Sequence, residues 1–190
     1  MKVLGIVSEY NPFHNGHKFH IEQSIKNSGC DFVIAVMSGN FVQRGEPAIF
    51  DKWTRTKAAL LNGVDMVIEI PTYFSTSSAE FFSECAVRIL ENIGIVNMIS
   101  FGSESGHIEY IEKTANILYN EPKEFKEAIK KELSKGLPFP TARGNALKQI
   151  ANIPNEILEN PNNILGIEYI KSLKKINSNI TPVTVKREKA

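Results

Sequence analysis

Short apolar segments recur along the first hundred residues, and helical periodicity follows each of the first three. The segments are nearly continuous runs of branched and apolar residues, which is typical of parallel strands covered on both faces. These predicted strands are 2–7, 31–37, 65–70 and 96–101. Apolar side chains at helical spacing predict helices at 16–28, 52–62 and 79–93. The alternation of strand and helix predicts right-handed crossovers and a doubly wound, Rossmann-like parallel α/β sheet.

Glycines follow the predicted helices at the points where a helix commonly ends, at Gly29, Gly63 and Gly94. From residue 107 onward the pattern becomes mostly helical, with prolines between the periodic stretches. We expect helices near 107–119, 122–135, 140–151 and 162–175, and a last strand at 181–186 that returns to the sheet. This second part is an added helical portion of the same domain. Because the chain stops soon after that strand, we expect a longer natural protein.

The composition is typical of a soluble globular protein, with 42% hydrophobic and 23% charged residues and a net charge of +1. No apolar run reaches the length of a membrane span, and the N-terminus lacks the pattern of a signal peptide, so we expect a cytoplasmic protein without a membrane partner. Cys30 and Cys85 lie far apart and have no second cysteine at ligand spacing. They are predicted to be reduced packing residues, and a zinc site is not supported.

The charge is unevenly distributed along the chain. Residues 121–190 contain 13 Lys and Arg against 8 Asp and Glu, whereas residues 1–120 contain 9 against 13. A basic segment of this kind contacts a phosphate backbone in some proteins. From charge alone, a solvated helix face is the better interpretation.

The segment 9–17 joins the first predicted strand to the first helix and contains His14, Gly16 and His17. In an open α/β sheet, ligands bind beyond the carboxyl ends of the strands, so this loop is well placed. Gly16 allows a phosphate to approach the backbone, and the helix that starts there directs its free N–H groups and its positive dipole end at that phosphate. The spacing of three brings both imidazoles to one side of the helix.

Two imidazoles at an α-phosphate can donate hydrogen bonds to the negatively charged transition state of nucleotidyl transfer. His14 and His17 are therefore the predicted catalytic residues, and Lys18 or His20 is expected to add positive charge near the β- and γ-phosphates. The pair alone is also compatible with a metal site or with two surface imidazoles. The glycine, the preceding strand and the following helix favour the nucleotide site.

Residues 1–20 resemble the HxGH nucleotidyltransferase superfamily, which includes pantetheine-phosphate adenylyltransferase and the class I aminoacyl-tRNA synthetases. Four segments together resemble one family more closely, the tRNA(Met) cytidine acetate ligases. These segments are 6–17, 37–48, 101–104 and 162–169. The resemblance implies that 1–190 is a nucleotidyltransferase-like catalytic domain, and that the family's C-terminal tRNA-binding region lies outside this chain.

The same resemblance implies activation of acetate with ATP to acetyl-adenylate, followed by acetylation of the wobble cytidine of elongator tRNA(Met). ATP, accompanied by Mg²⁺, is the implied cofactor, and no protein side chain is assigned to a metal. Which of Asn162 and Asn163 contacts ATP is left open. The implied ATP-binding residues are Val7, Ser8, Glu9, Tyr10, Asn11, Pro12, Phe13, His14, Asn15, Gly16, His17, Lys18, Phe19, His20, Gly102, Asn162, Asn163 and Arg187.

The loop 39–47 follows the second strand and should open on the same edge of the sheet. Asn40, Gln43 and Arg44 carry donors suited to a carboxylate or a phosphate. An equally good interpretation is a structured loop in which Arg44 pairs with Glu46 or Asp51.

Residues 51–55 are predicted to open the next helix, with Asp51 at its N-cap. Trp53 is interpreted as a core or lid packing residue rather than as a stacking platform. Lys52 and Arg55 are expected on a solvated helix face rather than at phosphates. One of Asn162 and Asn163 is expected to cap the helix after Pro161, and Arg143 is interpreted as a helix-face residue.

Two alternative functions remain open from the sequence. One is adenylylation of a phosphorylated cofactor precursor, which would need a phosphate pocket where acetate needs a small one. The other is a non-catalytic nucleotide-binding module, which retention of both His14 and His17 disfavours.

Overall fold

The computed structural model describes residues 1–187, with only the backbone at Asn155. The predicted domain span of 1–190 therefore ends in residues 188–190, which lie outside the described part. The strands are β1 (Val3–Ser8), β2 (Phe32–Ser38), β3 (Met66–Ile70), β4 (Met98–Ser103) and β5 (Thr181–Lys186). The helices are α1 (Asn15–Ser28), α2 (Lys52–Leu60), α3 (Thr72–Ser75), α4 (Ala79–Ile93), α5 (Ile108–Asn120), α6 (Lys123–Leu133), α7 (Phe139–Ala151), α8 (Asn155–Glu159) and α9 (Pro161–Lys175).

The strands form one sheet in the order β3-β2-β1-β4-β5, and every neighbouring pair is parallel. This confirms the predicted Rossmann-like α/β fold. The chain runs outward from β1 through β2 to β3, and then crosses back to add β4 and β5 on the other side of β1. The carboxyl ends of β1 and β4 therefore border the point at which the strand order reverses.

Each face of the sheet is covered by helices, because side chains along a strand point alternately to opposite faces. In β1, Leu4 and Ile6 pack with Ile21 of α1 and Ala59 of α2. Val3 points to the opposite face of the sheet, into the larger of the two cores. In this core α4 and α9 pack against the sheet, and side chains of α5 to α8 extend the core outward. Leu90 of α4 lies so close to Gly5 that a Cβ there would approach its side chain to 2.7 Å.

The predicted strands and long helices are all present, and several have the predicted ends while the others are shifted by one or two residues. The short helices α3 and α8 were not predicted, since four or five residues carry too little periodicity. Gly29 and Gly94 end α1 and α4 in the left-handed conformation, as expected, whereas α2 ends before Gly63.

Two expectations about helix starts have different outcomes. Asp51 caps α2 through a bond from the Thr54 N–H to its carboxylate (2.9 Å), as predicted. The expected cap of α9 by Asn162 or Asn163 is wrong, because the N-cap position is Asn160. Pro161 occupies the first turn, where its missing N–H costs nothing, so both asparagines fall inside the helix.

The core position considered for Trp53 and the surface position expected for Arg55 are wrong. Trp53 is 73% exposed, with Lys52 Nζ 5.3 Å from its ring centre, whereas Arg55 is only 1% exposed. Arg55 and Ala59 are the buried residues of α2, and a spacing of four places them on one face. That face points at the sheet, so Trp53 points away from it.

Both cysteines are free, as predicted, and each packs against one of the two cores. Within residues 1–187, none of the helices combines the length and the apolar character that crossing a membrane requires.

Candidate functional site

The loop between β1 and α1 turns sharply at Tyr10, whose φ of 49° lies in the left-handed region. A non-glycine residue there costs about 1–2 kcal/mol, which packing must offset. The Tyr10 ring supplies that packing, because it is 2% exposed and lies edge-on to Phe13 and His17 at centroid distances of 5.0 Å. Burial raises the pKa of Tyr10 to about 12, so the phenol stays protonated. The loop thus packs around a cluster of rings that includes His17, one of the predicted catalytic residues.

The rings of His14 and His17 cap the start of α1 by accepting hydrogen bonds from backbone N–H groups. His14 is the N-cap, and its Nδ1 accepts from the Gly16 N–H at 3.0 Å. The His17 Nδ1 accepts from the His14 N–H at 3.3 Å. The two rings stack with centroids 3.8 Å apart. This is the reciprocal arrangement of a capping box, built here from imidazoles.

The capping box determines which ring nitrogen carries the proton. An Nδ1 that accepts a hydrogen bond must be unprotonated, so each neutral ring carries its proton on Nε2. Burial lowers the pKa of His17 to about 3, with smaller contributions in the same direction from His14, His20 and Arg187. His17 is therefore a neutral N–H donor at physiological pH. Within residues 1–187, neither Nε2 forms a hydrogen bond, which leaves both available to a ligand.

Gly16 is required by the capping ring as well as by a ligand. A Cβ at this position would lie 2.9 Å from Cε1 of His14 and 3.0 Å from its Nδ1. Contacts below 3.0 Å force a neighbour to move. Any larger residue would therefore displace the ring of His14.

Positive charge from His20 was expected and is not found. Burial and the charge of Arg187 lower the pKa of His20 to about 4, so this ring is neutral at physiological pH. Its Nε2 lies 3.3 Å from the Ser100 hydroxyl, which is bonded to Ser24. Lys18 is exposed in the first turn of α1 and pairs with Glu22 at 3.9 Å.

The loop between β1 and α1 (residues 9–14, the histidine loop) is bonded to the β2–α2 loop (residues 39–51). The bonds are made by side chains of the histidine loop. A carboxylate oxygen of Glu9 accepts from the Gln43 N–H at 2.6 Å, and the Asn11 amide oxygen accepts from the Ile49 N–H at 2.7 Å. Asn40 uses its amide oxygen to accept from the Lys52 N–H at 3.0 Å. The predicted contact residues of the two loops are thus partly engaged in positioning each other.

Arg44 is exposed, and within residues 1–187 it forms no ion pair with Glu46 or Asp51. The pairing considered from the sequence is therefore absent from the described part, and the guanidinium is available to a ligand. The Gln43 side chain is half-buried beside it.

A second group of predicted residues meets at the ends of β4 and β5. Arg187 directly follows β5, donates its backbone N–H to the Ser103 carbonyl (2.9 Å), and lies against Gly102. The carboxylate of Glu104 lies 3.6 Å from the Arg187 guanidinium and accepts from the side-chain amide of Asn162 at 2.5 Å. It also accepts from the Asn163 N–H at 3.3 Å.

The two asparagines of α9 differ in exposure. Asn163 is fully buried, with its amide oxygen accepting from the Glu104 N–H and its nitrogen donating to the Glu156 carbonyl. Asn162 is half-buried and bonded to the carboxylate that faces Arg187. Of the two, Asn162 is therefore the one whose side chain a ligand can reach.

The remaining predicted ATP contacts lie in the same stretch as the capping box. Val7 and Ser8 end β1, Pro12 lies in the loop, Asn15 is exposed in the first turn of α1, and Phe19 is half-buried one turn later.

Comparison with known proteins agrees with this geometry. A family model described as HIGH Nucleotidyl Transferase matches residues 1–190. The chain belongs to this nucleotidyl transferase family.

Within this family, the matched relatives are tRNA(Met) cytidine acetate ligases, which confirms the resemblance seen in the sequence. The enzyme of Acetivibrio thermocellus is 56% identical over 98% of this chain and 46% of its own length. That of Caldanaerobacter subterraneus subsp. tengcongensis is 53% identical over 100% of this chain and 48% of its own length. This nucleotidyl transferase chain thus spans about half the length of the curated relatives it matches.

A solved structure shares the fold in detail. Thermotoga maritima TmcAL bound with alpha-thio ATP superimposes with a TM-score of 0.93 at 47% identity, covering 99% of this chain and 47% of that one. The apo form gives 0.92. The nucleotide belongs to that protein's structure.

Two residues of this nucleotidyl transferase lie at the centre of the contacts just described but were not predicted as site residues. Glu104 joins the Asn162 side chain to Arg187 across 58 and 83 positions of sequence, which no local pattern reveals. Arg55 was assigned to the surface, although its spacing from Ala59 was a usable signal for burial.

The described residues contain no group of three or more His, Cys, Asp and Glu side chains arranged to hold a metal ion. Glu104, the carboxylate at the β4–β5 end, is already engaged by Asn162, Asn163 and Arg187. Among residues 1–187, the site therefore offers donors and positive charge to phosphates rather than a cage for a cation.

Proposed function

We propose that this chain binds ATP with Mg²⁺ and uses it to convert acetate to acetyl-adenylate. One observation carries the proposal. The capping box presents two Nε2–H donors at the N-terminus of α1, beside the reversal point of the sheet. A helix N-terminus with free N–H groups favours a bound phosphate, and fixed donors favour the charge that develops on it.

In the proposed step, a carboxylate oxygen of acetate attacks the α-phosphorus of ATP. A bond forms between that oxygen and phosphorus, the bond from the α-phosphorus to the bridging oxygen breaks, and pyrophosphate leaves. His14 and His17 donate from Nε2 to the α-phosphate oxygens, where negative charge crowds in the transition state. No proton transfer is needed, so neutral imidazoles suffice.

The β4–β5 end is proposed to hold the nucleotide. Arg187 carries a charge within reach of a phosphate, and Gly102 beside it keeps the backbone accessible. Asn162 is the proposed asparagine contact, because Asn163 is committed to buried bonds. The stretch from Val7 to His20 completes the proposed ATP site, while Asn40, Gln43 and Arg44 are proposed acid or phosphate contacts. Because residues 1–187 offer no metal cage, Mg²⁺ is proposed to arrive on the phosphates as part of the substrate.

The second proposed step belongs to the longer protein. The relatives' name specifies tRNA(Met) cytidine as the acceptor. The N4 amine of the wobble cytidine would attack the acetyl carbonyl carbon, forming the amide and releasing AMP and a proton. Recognition of an unstacked anticodon base needs contacts to both phosphates and base edges.

The test of the first step is exchange of labelled pyrophosphate into ATP. We expect exchange that depends on acetate and is weaker with propionate. Exchange with a phosphorylated cofactor precursor but not with acetate would favour the alternative adenylyltransferase. ATP binding without exchange for any acid would contradict catalysis by this chain.

The tRNA step is tested by acetyl transfer to elongator tRNA(Met), with this chain compared against a longer relative. We expect this chain to transfer poorly, and to bind tRNA weakly with a steep salt dependence, because its basic excess is confined to 121–190. Equal transfer by both at physiological salt would show that recognition lies within this chain.

A further inference from the structure

Among residues 1–187, Arg55 is the largest fully buried side chain, and the four hydrogen bonds that it donates all go to backbone carbonyls. Nε donates to Phe50 at 3.0 Å. One terminal nitrogen donates to Glu9 at 2.6 Å and to Ser38 at 3.1 Å, and the other donates to Gly39. Burying a guanidinium is costly, and these hydrogen bonds offset much of the loss of water.

These carbonyls belong to two different loops. Glu9 lies in the histidine loop, five residues before His14. Ser38 is the last residue of β2, and Gly39 and Phe50 lie near the two ends of the β2–α2 loop. Carbonyls have no intrinsic affinity for each other. A planar group with donors in a fixed fork can hold several at defined positions, and lysine cannot reproduce this.

The surroundings keep the guanidinium charged. Burial lowers the pKa of Arg55, and the carboxylates of Glu9, Asp51 and Glu69 oppose that shift. Glu9 serves both loops, because its carboxylate also accepts from the Gln43 N–H. Glu69 forms its own ion pair with Lys52 at 2.6 Å. Arg55 is thus the cation at the centre of the junction.

We infer that Arg55 is a positioning residue that aligns the two reactants, by holding the histidine loop against the β2–α2 loop. This inference rests on the proposed function, in which ATP lies over His14 and His17 and the acid lies towards Asn40, Gln43 and Arg44. Arg55 touches neither reactant. It sets the distance between the two loops that do.

This role predicts a specific kinetic signature. In the proposed function, ATP contacts the histidine loop and the β4–β5 end. Arg55 does not bond these two regions to each other, so ATP affinity should change little when Arg55 is replaced. The acid must approach the α-phosphorus across the loop junction, and a misplacement of about 1 Å can cost about 10²-fold in rate. The loss should therefore appear in kcat and in the KM for acetate.

The experiment compares Arg55→Lys, Arg55→Met and a matched control, Arg88→Met. Arg88 is an exposed arginine of α4 that pairs with Glu84, away from either loop. Each variant is measured for thermal unfolding, for ATP dissociation constant and for acetate-dependent pyrophosphate exchange. Amide hydrogen exchange is followed at Gln43 and Ile49, whose N–H groups bond to Glu9 and Asn11 of the histidine loop.

We expect Arg55→Met to lower kcat about 10²-fold, Arg55→Lys to recover part of that loss, and both to leave the ATP dissociation constant within about threefold. The amides of Gln43 and Ile49 should exchange faster in Arg55→Lys, while Arg88→Met resembles the parent in all four measurements. If Arg55→Met does not fold, Arg55→Lys carries the same comparison.

Unchanged exchange at both amides in Arg55→Lys would overturn the inference. So would equal losses in kcat and ATP affinity, which would indicate a purely structural role. If the parent chain shows no acid-dependent exchange, the proposed function fails separately, and the two amides still decide whether Arg55 joins the loops.

Discussion

The two halves of the candidate site are built by different means. At the ends of β1 and β2, the rings of His14 and His17 are fixed by hydrogen bonds from backbone N–H groups, and the buried Arg55 joins the two loops. At the ends of β4 and β5, the contacts are charged, with Glu104 joined to Arg187 and to both asparagines of α9. The first half is held by hydrogen bonds to backbone groups, whereas the second contains an ion pair that an incoming phosphate can compete for.

The difference indicates a division of roles. Fixed neutral donors add little to binding of the ground state, but they favour a transition state that develops more charge at the same atoms. An arginine such as Arg187 adds to the binding of ATP when it leaves its carboxylate partner, Glu104, and pairs with a phosphate instead. The β1–β2 half should therefore govern rate, and the β4–β5 half should govern ATP affinity.

The largest expected effect comes from the histidines. His14→Ala and His17→Ala should each lower the exchange rate about 10²–10³-fold while leaving ATP binding nearly unchanged. In His17→Gln the amide nitrogen takes approximately the place of Nε2, whereas in His17→Asn it takes that of Nδ1. The glutamine variant should therefore be the more active of the two. Parallel losses in rate and affinity would make the histidines simple ATP ligands.

A smaller effect, on affinity, is expected at the opposite half. Arg187→Met should weaken ATP binding by roughly 10–100-fold, because a hydrogen bond to a charged group contributes about 1.5–3 kcal/mol. Arg187→Lys should lose less, since it keeps the charge without the bidentate geometry. Titration of ATP by calorimetry measures both. An Arg187→Met variant that binds normally but turns over slowly would reverse the proposed roles.

The buried histidines predict a modest pH dependence of stability. The pKa values of His17 and His20 are lowered to about 3 and about 4, against about 6.5 in an unfolded chain. Between about pH 6.5 and pH 4 the unfolded state binds more protons than the folded state, so the free energy of unfolding falls as the pH falls. Each histidine should contribute about 1–2 kcal/mol to the loss between pH 7 and pH 5.

Urea unfolding at pH 7 and pH 5 tests this for the parent, His17→Gln and His20→Gln. Each variant should lose less stability on acidification than the parent does. The same loss in all three proteins would mean that these rings are accessible to protons in the folded state.

The smallest effect is expected at the cysteines. Cys30 and Cys85 pack against opposite cores, and burial raises the pKa of the Cys85 thiol, which disfavours a reactive thiolate. Alanine or serine at either position should leave ATP binding unchanged. A metal requirement that disappears with either substitution would show that the thiol is a ligand.

The two halves also differ in how far the sequence predicts them. The histidine loop is local, because strand, glycine and helix follow one another within residues 3–28. The position of this loop at the carboxyl end of β1 follows from the strand–helix order. His14 and His17, the residues predicted to be catalytic, form the capping box. The tautomer of the rings was not predicted, because it depends on which nitrogen the backbone N–H groups reach.

The β4–β5 half was predicted from resemblance rather than from local pattern. Nothing near Glu104 in sequence indicates that it bonds Asn162, which arrives from another helix. The assignment of an N-cap to Asn162 or Asn163 failed because Pro161 takes the first turn and moves the cap to Asn160. Arg55 was assigned to the surface because its charge was given more weight than its spacing of four residues from Ala59, which indicates a shared helix face.

The division of roles is tested most directly by the ATP dependence of acetate-driven pyrophosphate exchange, measured side by side for His17→Asn and Arg187→Met. We predict a low maximal rate with a normal half-saturating ATP concentration for His17→Asn. For Arg187→Met we predict a near-normal maximal rate reached only at raised ATP. The same pattern in both variants would contradict the account, because it would show that the two halves do not act separately.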